Sequence, residues 1–220
     1  MNHLDPTVSV VLATYLRPQS LKLAIESVLQ QSFTDWELLV FDDGSPDDTF
    51  SVVAPFVEKD PRVRYIRHQN RGYRQSRNIG IASALGKYVT FIDNDDEYEP
   101  SHLDVRVKYL QTHPEIGLVH GGLKILGDPF VPDKHNPSQQ IHLESCAMSS
   151  SFFGLKEAFM ASGGFQEKAY SDSSDLLGRI EEHYPIARIA DQTYRYNRLS
   201  PDSQLTARIR SLEGKQHDTN

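Results

Sequence analysis

The strongest constraint on the fold of this 220-residue chain is an apolar run that ends in a cluster of carboxylates. Residues 88–92 are β-prone and mostly apolar, and the acidic segment 93–96 follows them directly. Such a run is typical of a strand in a parallel sheet that is buried on both faces. Open α/β sheets bind ligands at the carboxyl ends of their strands. Because massed carboxylates repel one another unless a cation or several donors compensate them, the segment predicts a metal-dependent site.

Three further apolar strands precede this one, and helical patterns separate them. The predicted strands cover residues 8–13, 36–41 and 63–67, and the predicted helices lie around residues 21–29, 50–57 and 79–85. We expect Pro18 near the start of the first helix and Gly86 as the cap that ends the third. This alternation predicts an α/β fold with a central, mostly parallel sheet flanked by helices.

The second half of the chain has a weaker pattern. We expect a helix that starts at Pro100, and a strand over residues 116–126 with a glycine kink or bulge. Residues 127–145, rich in Pro, Asp, Asn and Gln, predict a loop. A helix over about 156–161, a short helix through Arg179 and strands near 186–190 and 193–197 complete the prediction.

Polar segments follow all four predicted strands of the first half. They are residues 14–17, 42–48, 70–78 and 93–96. In a sheet of this class they would line one crevice. Arginines beside carboxylates in such a crevice suit phosphate groups. The combination predicts a nucleoside diphosphate held partly by a divalent cation.

Charge and composition narrow the class of protein further. The chain has 23 Lys and Arg against 30 Asp and Glu, a formal charge of −7, which argues against a nucleic-acid binder. Cys146, the single cysteine, excludes an internal disulfide and suits a reducing compartment. There is neither a leader-like start nor an apolar run of the ~20 residues that a membrane span needs. We expect a soluble, cytoplasmic protein, with peripheral attachment to a membrane left open.

Taken together, the motifs resemble those of inverting glycosyltransferases of family 2, which have the GT-A fold. The matching segments are VSVVLATY from residue 8, SVLQQSFTDWELLVFDDGS from residue 27, SRNIG from residue 76, GKYVTFIDNDD from residue 86 and GGF from residue 163. They span residues 7 to about 180 in the family's order. Each is modest alone, and the set is highly specific.

The resemblance implies roles for individual residues in nucleotide binding. Thr14 and Tyr15 match the turn that packs against the nucleotide, and Arg17 follows in a position that is often basic. Asp43 matches the carboxylate that binds the base. Arg77, with Asn78 after it, matches the Arg-Asn pair before the metal-binding strand.

The resemblance also assigns the acidic segment. Asp93, Asn94 and Asp95 are this chain's version of the Asp-x-Asp motif, which binds Mn²⁺ or Mg²⁺. Asp95 is the expected direct metal ligand. Asp93 is the second candidate for a metal ligand, although a contact to the sugar or ribose is favoured for it. Asn94 belongs to the nucleotide-binding site. For Asp96 we expect a cap on the following helix.

One departure from the family concerns the catalytic base. Counting back from Arg179 places Ser173 where the family carries its aspartate base, and serine cannot take the acceptor's proton at neutral pH. Asp172 lies one residue earlier and Asp175 matches a later aspartate of the pattern. We favour Asp172 as the base. The alternatives are a shifted loop that brings in Asp175, and an activity that is reduced or absent.

The resemblance implies one GT-A domain over residues 1–206, followed by a polar tail at 207–220. Residues 7–100 would hold the nucleotide-sugar donor and residues 101–206 a carbohydrate or glycolipid acceptor; a homodimer is compatible with the sequence. The alternative is a catalytically impaired nucleotide-binding or scaffold protein. A nucleotidyltransferase fits less well, because the turn after the first strand has no glycine.

Overall fold

The computed structural model describes residues 5–133, 136, 138–167 and 171–199. Its first half alternates strands and helices as predicted. The elements are β1 (Val8–Thr14), α1 (Pro18–Leu29), β2 (Trp36–Asp42), α2 (Thr49–Lys59), β3 (Val63–Arg67), α3 (Tyr73–Ser83) and β4 (Tyr88–Asp93). The predicted tail at 207–220 and the end of the predicted domain at 206 lie outside the described residues.

The second half is more irregular. Its elements are β5 (Glu97–Tyr98), α4 (His102–Thr112), β6 (Leu118–Leu126), β7 (Phe130–Pro132), β8 (Gln140–His142), β9 (Phe153–Leu155), α5 (Lys156–Ala161), α6 (Asp172–Glu181) and β10 (Ile186–Asn197). Short 3₁₀ turns cover Leu143–Ser145 and Ser149–Ser151. Among the described residues, none of the helices combines the length and apolar character that a membrane span requires.

In the part of the chain that the structure describes, eight strands form one sheet in the order β3-β2-β1-β4-β9-β6-β10-β5. Strands β1 to β4 are mutually parallel, whereas β9 runs antiparallel to both of its neighbours, β4 and β6. The chain builds outward from β1 to β3 and then returns to place β4 on the other side of β1. This reversal creates a topological switch point at the carboxyl ends of β1 and β4, where such sheets bind ligands.

Strands β1, β2 and β4 of the sheet are buried on both faces. Val10 and Leu12 of β1 belong to one apolar cluster and Val11 to the other, because successive side chains of a strand point to opposite faces. Every residue of β2 is buried, including Trp36. This burial fixes the strand ends that carry the polar segments.

Several predicted boundaries are wrong. Helix α3 begins at Tyr73, so most of the polar segment 70–78 is helical, and α4 begins at His102 rather than at Pro100. The predicted loop at 127–145 contains the hairpin of β7 and β8. The two predicted C-terminal strands are one strand, β10, with an irregularity between Ile189 and Tyr194.

Two glycine predictions have different outcomes. The kink in β6 is confirmed, since Gly121 and Gly122 have φ of +90° and +66°. Gly86 is not the cap of α3, which ends at Ser83 and is capped by Ala84. A Cβ on Gly86 would lie 2.7 Å from the backbone nitrogen of Ser9, so glycine there permits close approach to β1.

Candidate active site

The carboxyl ends of β1, β2 and β4 meet at the switch point. The Asp43 backbone N–H donates to the Thr14 carbonyl at 2.9 Å, and the Asn94 amide donates to the Thr14 hydroxyl at 3.3 Å. Thr14, Asp43 and Asn94 are all buried. The structure therefore brings together three predicted nucleotide-binding residues from three different segments.

The turn after β1 has an uncommon backbone conformation. Leu16 has a φ of +56°, a left-handed conformation that costs free energy for a residue other than glycine. Its N–H donates to the Ser45 hydroxyl at 3.1 Å, which holds the turn against the segment after β2. Tyr15 and Leu16 are 40% and 48% exposed, so this turn presents apolar side chains to solvent beside buried polar groups.

Arg17 reaches from this turn to the acidic segment after β4. Its Nη1 lies 3.5 Å from both the Asn94 side-chain oxygen and a carboxylate oxygen of Asp95. At this separation the contact is electrostatic rather than a well-formed hydrogen bond. The guanidinium and the Asp95 carboxylate are both mostly shielded from solvent, which strengthens their attraction.

Both carboxylate oxygens of Asp43 accept backbone N–H groups from the segment before α3. Arg71 N–H donates at 2.7 Å and Gly72 N–H at 2.8 Å, and the His68 ring lies 3.4 Å away. Each carboxylate oxygen has two acceptor positions, so Asp43 retains capacity for a further donor. The residue predicted to bind the base thus also holds the β3–α3 segment in place.

Arg77 joins α3 to the end of β4. It donates to the Asp93 carboxylate at 2.5 Å and to the Ser149 hydroxyl at 2.7 Å. Burial lowers the pKa of the Arg77 guanidinium, but the nearby Asp93 carboxylate and the Tyr73 hydroxyl hold that pKa above its ordinary value. Arg77 is buried, whereas the Asp93 side chain is 39% exposed and remains accessible to a ligand.

Two of the family-like motifs meet beside this pair. The Asn78 side-chain amide donates to the Phe165 carbonyl and accepts the Phe165 N–H, both at 2.8 Å. Gly164 has a φ of +65°, and a Cβ there would lie 2.4 Å from the Asn78 side-chain oxygen. The Gly-Gly-Phe segment is therefore shaped to fit Asn78, which positions α3 relative to the second half of the chain.

Asp96 does not cap the following helix, contrary to the sequence prediction. The residue before α4 is Ser101, and Asp96 accepts instead from the Tyr194 hydroxyl and the Asn197 N–H, both at 2.7 Å. Burial raises the pKa of the Asp96 carboxyl well above its ordinary value, and the charges of Asp93 and Asp95 raise it further. This aspartate therefore faces strand β10.

The two candidate bases have different surroundings. Asp172, at the start of α6, accepts from the Tyr73 hydroxyl and from Arg74 Nε, the latter at 2.9 Å. Burial raises the pKa of the Asp172 carboxyl, but these two hydrogen bonds hold it below the ordinary value overall. Ser173, at the family's base position, accepts the Ser149 N–H at 3.3 Å.

Asp175 is engaged elsewhere. Its carboxylate accepts from Arg179 at 2.8 and 3.0 Å, and Arg179 also donates to the Gly164 carbonyl at 2.7 Å. These contacts join α6 to the Gly-Gly-Phe segment. The geometry gives Asp175 a structural contact and places Asp172 against the arginines of α3.

Sequence reasoning did not single out three residues that contact the candidate site residues. Tyr73 contacts Asp172, Ser149 contacts Arg77, and Tyr194 contacts the backbone of Asp93. Tyr73 lies inside the polar segment 70–78, which was a usable signal. Ser149 and Tyr194 come from distant parts of the chain, and nothing local in the sequence marks them.

The donors available to a divalent cation are few. Within the described ranges, no group of three or more His, Cys, Asp or Glu side chains is arranged to hold a metal. Mg²⁺ is commonly held by one or two carboxylates together with substrate phosphates. Asp93 and Asp95, with Arg17 beside them, fit a cation whose remaining ligands come from a diphosphate.

A comparison with protein families identifies the group to which the chain belongs. The family model described as glycosyl transferase family 2 matches residues 9–162, more than half of the chain. The chain belongs to glycosyltransferase family 2. This confirms the family predicted from the sequence motifs.

Solved structures of other proteins share the fold. Staphylococcus aureus TarS 1–349 in complex with UDP-GlcNAc has a TM-score of 0.75 at 18% identity, over 91% of this chain and 60% of that one. The mannosyltransferase PcManGT from Pyrobaculum calidifontis, in complex with GDP-Man and Mn²⁺, has a TM-score of 0.70 at 22% identity, over 93% and 60%. The predicted GT-A fold is confirmed.

Curated relatives match over shorter segments. A Rickettsia felis protein described as an uncharacterized glycosyltransferase is 39% identical over 107 residues, which are 49% of this chain and 18% of that protein. A Campylobacter jejuni GalNAc(5)-diNAcBac-PP-undecaprenol beta-1,3-glucosyltransferase is 43% identical over 94 residues, or 42% and 30%. The matched segment spans less than a third of either relative.

Proposed function

We propose that this family 2 glycosyltransferase domain is metal-dependent and inverting. It would move a sugar from a nucleoside diphosphate sugar, a UDP-sugar in the first instance, to a hydroxyl group of a carbohydrate or glycolipid acceptor. The observation that carries the proposal is the convergence of Thr14, Arg17, Asp43, Asn94 and Asp95 at the switch point. The TarS complexes with UDP and UDP-GlcNAc on the same fold support a UDP-sugar.

The proposed contacts follow the geometry of the crevice. Thr14 and Tyr15 pack against the nucleoside, and Asp43 accepts from the base through its remaining acceptor positions. Arg17 and Arg77 supply positive charge for the phosphates, the former beside Asp95 and the latter beside Asp93. All of these residues lie within the first hundred residues of the chain, whereas Asp172 lies in the second half. This division supports a donor half at 7–100 and an acceptor half at 101–206.

Asp95 is the proposed direct ligand of Mn²⁺ or Mg²⁺, with Asp93 as the second candidate. The partly exposed Asp93 carboxylate, already paired with Arg77, suits a contact to the sugar or ribose. When bound, the cation would neutralise charge that develops on the departing diphosphate. The PcManGT complex with GDP-Man and Mn²⁺ supports a divalent cation in this fold.

Asp172 is the proposed general base. Its carboxylate takes the proton from the acceptor hydroxyl as that oxygen attacks the anomeric carbon. The new C–O bond forms on the face opposite the diphosphate, whose own bond to that carbon breaks in the same step. The position of Asp172 against Tyr73 and Arg74, close enough to Arg77 to influence the carboxyl's pKa, supports it over Asp175.

The test measures UDP binding with and without Mn²⁺, and then hydrolysis of UDP-sugars. Wild-type protein should bind UDP more tightly with Mn²⁺ and turn over at least one UDP-sugar. Asp95→Ala should abolish both effects of the metal, whereas Asp104→Ala, which removes a surface carboxylate paired with Lys108, should change neither. Undiminished turnover in Asp95→Ala would refute the assignment of the metal ligand.

The residue at the family's base position also favours a second candidate function, a nucleotide-binding scaffold. Ser173 occupies that position and its hydroxyl contacts the Ser149 N–H, while Asp172 is already hydrogen-bonded to two side chains. A nucleotide-binding scaffold without turnover would have these features. UDP binding that Mn²⁺ enhances, with no hydrolysis of any UDP-sugar and no transfer, would favour the scaffold.

A further inference from the structure

Strand β10 supports the acidic turn after β4 from inside the protein. The Asp93 N–H donates to the Tyr194 hydroxyl at 3.2 Å, and that hydroxyl donates to the Asp96 carboxylate at 2.7 Å. The Asn197 N–H donates to the other oxygen of the same carboxylate at 2.7 Å. One hydroxyl therefore contacts both ends of the turn formed by residues 93–96.

Tyr194 is itself held rigidly. Its side chain has no exposed surface, and its ring packs edge-on against Tyr98 at 5.5 Å and His102 at 5.8 Å between centroids. Its backbone is paired with Tyr98 of β5 on one side and with Leu123 of β6 on the other. A hydroxyl carried by such a side chain has little freedom to follow movements of the turn.

The buried Asp96 makes this contact energetically significant. A buried carboxylate is costly unless donors satisfy it, and Tyr194 and Asn197 supply two of them. Asp96 is thereby fixed to β10, and Asp93 is fixed through its N–H. Asp95 lies between these two anchored residues, so its orientation depends on them.

We propose that Tyr194 is a positioning residue for the metal-binding turn. The inference rests on the proposed function, in which Asp95 holds the cation. Tyr194 does not touch the substrate or the cation; its hydroxyl sets the separation of Asp93 and Asp96. Through that separation it directs the Asp95 carboxylate toward the crevice.

Tyr194→Phe tests the inference, because it keeps the ring and removes only the hydroxyl. Residues that orient metal ligands typically contribute about 10–100-fold to metal affinity. The affinity of the UDP-bound protein for Mn²⁺, followed by the electron paramagnetic resonance signal of free Mn²⁺, should fall about tenfold or more. The affinity for UDP in EDTA should stay at the wild-type value.

Tyr98→Phe is the matched control. Tyr98 is also buried in this cluster, but its hydroxyl donates to the Phe91 carbonyl of β4 at 2.9 Å, rather than to the turn. This variant should keep the wild-type affinity for Mn²⁺. An equal loss in both variants, a parallel loss of UDP affinity in EDTA, or an unchanged Mn²⁺ affinity in Tyr194→Phe would each overturn the inference.

Two further measurements separate the remaining outcomes. If Tyr194→Phe fails to fold, Asp96→Ala removes the acceptor of the same hydrogen bond, and it should give the same selective loss of Mn²⁺ affinity. If the wild-type complex with UDP has no affinity for Mn²⁺, the proposed function fails and the inference fails with it. If the wild-type complex binds Mn²⁺ and Tyr194→Phe binds it with the same affinity, the positioning role is refuted and the proposed function stands.

Discussion

The Arg77 guanidinium donates to the Asp93 carboxylate at 2.5 Å and thereby links helix α3 to the end of β4. The two residues are exposed to different degrees, because Arg77 is buried and Asp93 is partly open to solvent. A ligand at Asp93 would therefore contact a carboxylate whose negative charge is already paired with the buried Arg77 guanidinium.

The first prediction concerns this pair. Asp93→Asn should lower the free energy of unfolding by about 1–3 kcal/mol, because the buried guanidinium loses a charged hydrogen-bond partner. Urea denaturation gives the value. Glu26→Gln, which removes the exposed pair with Lys22, is the control and should cost less than about 0.5 kcal/mol. Equal costs for the two variants would contradict a special role for the Arg77 contact.

The second prediction distinguishes the two candidate bases. Asp172→Asn should lower the rate of sugar transfer or UDP-sugar hydrolysis about 10²–10⁴-fold, because the amide cannot take the acceptor's proton. UDP affinity should stay unchanged, as measured by calorimetry. Asp175→Asn should instead reduce thermal stability, because it weakens the contact with Arg179, and should leave most of the turnover. The opposite pattern would assign the base to Asp175.

The third prediction concerns pH. Burial lowers the pKa of His102 well below its ordinary value, and the charge of Arg106 lowers it further. Below pH ~6.5 the unfolded chain binds a proton at this residue that the folded protein does not bind, so stability falls as pH decreases. Between pH 7.0 and 5.5, this residue should remove about 1 kcal/mol from the free energy of unfolding.

Denaturation of two variants at both pH values checks the sign and the source. His102→Gln should reduce the loss between pH 7.0 and 5.5 by about 1 kcal/mol, although the variant is less stable overall. His183→Gln removes an exposed histidine and should leave the loss in place. A loss that is unchanged in His102→Gln would show that other groups cause it.

The first half of the fold was predictable because its strands are continuous apolar runs separated by helices. The bounds of β1 to β4 differ from the predictions by at most one residue, and the expected clustering of Thr14, Asp43 and Asn94 followed from the rule for parallel sheets. That rule depends only on strand direction and order. It therefore needs no knowledge of distant contacts.

The second half was less predictable because its elements depend on partners far away in the chain. Strand β9 has three residues and β5 has two, too few for a periodic pattern. The predicted helix cap at Asp96 is wrong because its donors, Tyr194 and Asn197, are remote in sequence. The same reason explains why Arg77 was assigned to the site while its partner Ser149 was not.

The position of β9 has a consequence for how the chain is made. Residues 153–155 fill the gap between β4 and β6, so during synthesis the edge of β4 has no partner until they leave the ribosome. An unpaired edge of a buried, apolar strand readily pairs with other chains. The gap beside β4 closes only after residues 153–155 have been translated, and a nascent chain that stalls earlier exposes that apolar edge.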